Sequence, residues 1–131
     1  MKQLLAHLFG DYVLQNHWEA TQKTERSLPA ASHAIKYTAA FLPVTRNPKA
    51  LVTIGATHYI LDRYRLAKQV AWFKNQVAVP AASRYTWDEG KKNAGYPEDV
   101  PPWLSTWLMI LTDNSIHMLI NYMAIKKFDD G

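Results

Sequence analysis

The five histidines of the 131-residue chain stand at positions 7, 17, 33, 58 and 117, and three of them have an aspartate four residues away. The pairs are His7 with Asp11, His58 with Asp62, and Asp113 with His117. Residues four apart share one face of a helix, so each pair presents an imidazole and a carboxylate in one direction. Apolar neighbours give that direction: Leu4, Leu8, Leu14 and Trp18 around the first pair, Leu51, Ile54, Gly55 and Leu61 around the second, Ile110, Ile116 and Ile120 around the third. The pairs are expected to look inward. Burying three carboxylates without partners is very costly, and the lysines and arginines at matching helical positions are too few to neutralise all three. A bound cation would do so. His33, among Ala, Ile and Tyr, adds a further ligand. The set His7, Asp11, His33, His58, Asp62, Asp113 and His117 suits one or two divalent ions of the Mn, Fe, Co, Ni or Zn type. Seven donors exceed one tetrahedral site, so a two-metal site with open water positions is expected, the kind that activates water for displacement at an ester or anhydride.

A single histidine on an apolar helix face is ordinarily a hydrogen-bonded core residue. The coincidence of three pairs with His33 favours metal instead. His17 lies off the face of His7 and Asp11 and is expected at the surface. Gln15, one turn beyond Asp11, together with Asn114 and Asn121, is placed to orient ligands.

Helical periodicity dominates the elements that must carry these residues, with no clean strand alternation. Four helices are expected. The first runs over about 2–24; the second, over about 29–42, is stopped by Pro43; the third, 47–77, has Asn47 as its cap and Pro48 at its first position; the fourth covers about 101–128. Residues 78–100, with Pro80, Gly90, Gly95 and Pro97, read as a long loop lying across one end of the bundle. The fold expected is all-α: a single four-helix bundle, one metal-binding domain over 1–131. The absence of cysteine excludes disulfide scaffolds, thiolate zinc sites and cysteine nucleophiles, while 15 Lys+Arg against 11 Asp+Glu leave a net charge of +4. The opening apolar run is broken too soon by His7 and Asp11 for a signal peptide, so a cytoplasmic protein is expected. The stretch 103–125 is long enough to span a bilayer but holds Asp113, Asn114, His117 and Asn121, which keeps membrane contact open as an alternative.

The run from Leu4 to Gln15, His33, the segment Thr57-His58-Tyr59-Ile60-Leu61-Asp62-Arg63, and Asp113-Asn114-Ser115-Ile116-His117 together resemble domain-of-unknown-function family 3307, found in bacteria and their phages. The resemblance covers most of the chain outside 78–100. It implies the same histidine and aspartate ligand set and no assigned activity. Many members look membrane-embedded, and the His-x-x-x-Asp pattern is similar to that of predicted membrane-bound metal-dependent hydrolases. The present chain is more polar, with Lys36, Arg63, Arg65 and Lys68 in its second and third helices, which favours a soluble member whose location is the cytoplasm, or the host cytoplasm for a phage protein.

Arg65 shares nearly the face of His58 and Asp62, and Lys36 lies one turn from His33, so both are placed to meet phosphate oxygens at the mouth of a metal pocket. The expected activity is therefore a metal-dependent phosphohydrolase acting on a nucleotide or other small phosphorylated compound, with Asp62, His58, Arg65 and Lys36 as its catalytic residues. The alternative is a non-enzymatic helical binding or interaction protein, in one form membrane-associated, with a structural metal. Di-iron oxidation is disfavoured because no Glu is expected on an apolar face. Nucleic acid is not expected as a partner, since no basic recognition helix is present. Tyr85, Trp87, Tyr96, Trp103 and Trp107 are expected to cap the bundle core.

Overall fold

A computed structural model describes residues 1–129. Asp130 and Gly131 lie outside the described residues. The chain is all-α: seven α-helices, one π-helical turn and one 3-10 turn, with no strand among the described residues. It divides into two compact units. The first comprises Met1–Tyr64 and the chain from His117 onward; the second comprises Arg65–Ile116.

In the first unit, α1 (Lys2–Leu8) runs into a π-helical turn (Phe9–Val13), and α2 (His17–Gln22) follows. The single first helix expected is thus distorted by the π turn and broken once, at residues 14–16. The π turn closes with the Leu14 amide donating to the Phe9 carbonyl at 3.0 Å, and Gly10 lies where the backbone meets Tyr37: a Cβ there would come within 2.6 Å of Tyr37 Cδ2. α2 starts on a capping box, with the Asn16 side chain accepting from the Glu19 amide at 2.9 Å and the Glu19 carboxylate accepting from the Asn16 amide at 3.1 Å. α3 (Ser27–Ala40) packs against α1, the π turn, α2 and α4 (Pro48–Arg63). α4 begins as its sequence dictates: Asn47 Oδ1 accepts from the Lys49 amide at 3.0 Å, with Pro48 at the first helical position. The unit is completed by the C-terminal part of α7 (Pro102–Asp129). Its apolar core consists of Ala6, Tyr37, Phe41, Ile54, Ala124 and Ile125.

The third helix does not continue to position 77. Arg65 adopts a left-handed conformation, φ 49°, which ends α4 and lets α5 (Leu66–Lys74) start in a new direction. In the second unit the expected loop holds a 3-10 turn (Ala81–Ser83) and α6 (Trp87–Gly90), so it is only partly irregular. Asn93 ties it together: its amide donates to the carbonyls of Pro97 at 2.7 Å and Val100 at 2.8 Å, while its oxygen accepts from Ser105 Oγ at 2.6 Å. Tyr85 donates to the Gly95 carbonyl at 2.7 Å, and Trp72 meets Trp87 edge to face with centroids 5.7 Å apart. Tyr96 is buried, but Trp103 and Trp107 are 68% and 60% exposed, so these two do not cap a core. No helix among the described residues is long and apolar enough to cross a membrane, α7 included despite its 28 residues.

Candidate metal centre

Six of the seven expected ligands belong to the first unit. His7 comes from α1, Asp11 from the π turn, His33 from α3, His58 and Asp62 from α4, and His117 from α7. All four histidines are at most 1% exposed, and the Asp11 and Asp62 side chains are nearly as well covered. The burial of His7 does not come from the expected apolar neighbours: Leu4, Leu8 and Trp18 are themselves exposed, while Ala6, Gly10 and Tyr37 are buried.

The histidines of different helices meet directly. His33 Nε2 lies 2.9 Å from His58 Nε2, and the opposite nitrogen of His58, Nδ1, lies 3.2 Å from His117 Nδ1. Asp11 Oδ1 is 3.3 Å from both His33 Nε2 and His58 Nε2. Asp62 Oδ2 is 3.2 Å from His58 Nε2 and 3.4 Å from His33 Nε2, and Asp62 Oδ1 is 3.3 Å from His117 Nε2. Two groupings of potential metal donors result, Asp11–His33–His58 and His58–Asp62–His117, each with ligand atoms within 4.8 Å of one another. His58 belongs to both.

His7 and Asp113 belong to neither grouping. His7 Nδ1 is 2.7 Å from the Tyr37 hydroxyl and 3.5 Å from Asp11 Oδ2, so His7 braces the cluster from its edge. Asp113 falls in the second unit and is partly buried there. His17 is exposed, as its position off the His7 face predicts. Gln15 Nε2 is buried without a hydrogen-bond partner. Asn121 is buried and donates to the Tyr37 hydroxyl at 2.6 Å. Lys36 is engaged elsewhere, 2.8 Å from Glu19 Oε1, and Arg65 is an exposed residue of the second unit.

Three residues are absent from the expected set. Tyr37 lies fully buried with its ring stacked on His58, centroids 3.6 Å apart and planes 13° from parallel, so it fixes the plane of the shared imidazole. Lys23 places its ammonium 2.6 Å from Asp62 Oδ2, supplying one of the cations that the spacing of basic residues had not promised. Glu19 is fully buried although no Glu was expected on an apolar face; Ser32 Oγ donates to it at 2.5 Å, and Lys36 pairs with it. The capping-box spacing Asn16-x-x-Glu19 was the signal available for Glu19. Nothing local in the sequence marks Lys23, which is 39 residues from its partner.

Electrostatics suit the cluster to a cation. Burial raises the Asp62 carboxyl, but His117, His33 and His58 outweigh it and hold the group well below the usual carboxylate range. Asp11 is lowered as well, with burial opposed by His33, His58 and His117. Burial pushes His58 below its ordinary value despite Asp62, which favours the uncharged ring. His33 is raised: burial works against the charged form, and Asp11 and Asp62 overcome it. Asp11 Oδ1 and His33 Nδ1 are buried yet engaged in no hydrogen bond. Asp11 Oδ1 lies 3.3 Å from the Nε2 atoms of both His33 and His58, and such a buried set of nitrogen and oxygen donors fits a divalent ion.

A family model described as "Protein of unknown function (DUF3307)" matches residues 1–88, which includes five of the six residues of this cluster, all but His117. No curated protein and no solved structure matches the chain.

Proposed function

The chain belongs to the DUF3307 family, and we propose that its first unit is the divalent metal centre of a hydrolase, a phosphohydrolase acting on a nucleotide or other small phosphorylated compound. The observation that carries the proposal is the convergence of His33, His58, His117, Asp11 and Asp62 in the interior of one unit, with His58 common to two sets of donors. An ion of the Mn, Fe, Co, Ni or Zn class in such a donor set supplies Lewis acidity and lowers the pKa of water.

The protein's own residues do the rest. Asp11, His33 and His58 hold the ion, Tyr37 keeps the His58 ring in plane, and Asp62 orients His58 and His117. The four segments that supply them, α1 with its π turn, α3, α4 and the end of α7, act as a four-helix bundle around the ion. The charge of +4 supports an anionic substrate, and the cytoplasm is the place of action in this reading. Phosphate neutralisation by Lys36 and Arg65 finds no support in their positions.

A second reading is a non-enzymatic helical protein with a structural metal. It is favoured by how little of the cluster reaches the surface, with His7 and His33 side chains at 0% exposure and His58 at 1%. Elemental analysis of the purified protein, followed by hydrolysis assays on nucleotides and other phosphorylated compounds, separates the two. The enzyme should carry a divalent ion and turn over at least one phosphorylated class, and His58→Ala should lose both. Retained metal with no turnover across the panel favours the structural role, and absence of metal under reconstitution removes both readings.

A further inference from the structure

The ammonium of Lys23 stands inside the proposed metal centre, on an oxygen that an ion would have to share. Lys23 Nζ is 2.6 Å from Asp62 Oδ2, and that same oxygen lies 3.2 Å from His58 Nε2 and 3.4 Å from His33 Nε2. The two Nε2 atoms are 2.9 Å apart, and both face Asp11 Oδ1 at 3.3 Å. An ion bonded to these nitrogens therefore comes up against Asp62 Oδ2 and the ammonium on it. That sets a divalent charge beside a like charge in an interior that screens poorly. Asp62, buried, needs a cation from one source or the other, and the two sources compete for the same place.

Lys23 is also where the cluster opens to solvent. Its side chain is 19% exposed, against 10% for Asp11 and 4% for Asp62, while the cluster histidines are buried and Tyr37 covers the face of the His58 ring. Lys23 stands at the end of α2, and its flexible stem can swing the ammonium into water without a change of backbone. The backbone beside it is held independently: Arg63 Nη1 donates to the Thr24 carbonyl at 2.7 Å.

We propose that Lys23 is the gate of the metal centre: without an ion its ammonium compensates Asp62, and a divalent ion enters by displacing it into solvent. The gate rests on the metal centre proposed above and adds its regulation, since metal uptake and withdrawal of Lys23 become one coupled event. Lys23 is a positioning residue, acting through Asp62 and bonding to no ion.

The test uses zinc alone as the probe, on the full chain stripped with chelator. In wild type, acetylation of each lysine is followed by mass spectrometry with and without zinc. Lys23 should label slowly without zinc and several-fold faster with it, while exposed Lys126 should label alike in both. Calorimetry reads the competition directly. Lys23→Met, which keeps an apolar stem and removes the ammonium, should bind zinc at least about 10-fold more tightly than wild type, and Lys23→Arg, which keeps the charge, should stay within a few-fold of it. The labelling uses wild type alone, so the gate is tested even where Lys23→Met does not fold. Labelling of Lys23 that zinc leaves unchanged or slows, or zinc binding by folded Lys23→Met no tighter than wild type, would overturn the gate while leaving a metal centre standing. No zinc binding by wild type would remove the metal centre and the gate with it.

Discussion

The two compact units treat buried polarity in opposite ways. The first encloses His7, Glu19, His33, Thr45, His58, Asp62, His117 and Asn121, while among the described residues the second fully buries Ser105 alone of its polar side chains. In the second unit polar groups fasten backbone to backbone: Asn93 and Ser105 pin the 93–105 segment, Tyr85 holds Gly95, and Trp72 donates to the Tyr85 carbonyl at 3.3 Å. Hydrogen bonds of that kind specify a conformation and ask for no ligand. In the first unit His33, His58, His117, Asp11 and Asp62 face one another, imidazole against imidazole and carboxylate, an arrangement suited to a cation beyond the Lys23 ammonium on Asp62. Under the proposed metal-centre reading, function belongs to the first unit.

Substitutions that strike one unit and spare the other sharpen this contrast. The largest effect is expected from His58→Ala. In wild type, zinc at about 100 times its dissociation constant should add about 2.7 kcal/mol to unfolding stability, and the variant should lose that gain entirely. Chemical denaturation with and without zinc measures it. Gly95→Ala acts on the second unit: Gly95 has φ +91°, and a Cβ would run into the Lys68 carbonyl oxygen. It should cost at least about 2 kcal/mol in denaturation while leaving the zinc gain at its wild-type size. Loss of the zinc gain in Gly95→Ala would mean that the units do not divide the work as described.

A smaller effect is expected from Tyr37→Phe, which keeps the stack on His58 and removes the hydroxyl shared by His7 Nδ1 and Asn121 Nδ2. The loss should be about 1 to 2 kcal/mol without zinc. The smallest belongs to Glu19. Its pKa is lowered from 4.5: burial acts to raise it, and Lys36, Ser32 and the Asn16 amide prevail. A depressed carboxyl pKa contributes stability that is fully present above the unfolded value and lost as pH falls through the folded value. Glu19→Gln should therefore flatten the acid limb of the stability curve below about pH 4.5 and leave zinc binding unchanged.

Much of the centre was legible because four-residue spacing is a local property. His7 with Asp11 and His58 with Asp62 do share faces, with His58 Nε2 and Asp62 Oδ2 3.2 Å apart. Asp113, which the same rule pairs with His117, falls in the second unit and belongs to neither donor grouping. The α4 start at Asn47-Pro48 was visible for the same local reason. The break at Arg65 was not, because neither Gly nor Pro marks a left-handed residue there. Lys23 was hidden for a different reason: its pairing with Asp62 depends on how α2 and α4 are brought together by α3, and no periodicity encodes that.

Anomalous scattering from crystals of zinc-loaded protein tests the central claim most directly. The account predicts one strong peak in the interior of the first unit, within bonding distance of Asp11, His33 and His58. No peak there, or one only at exposed His17, would contradict it.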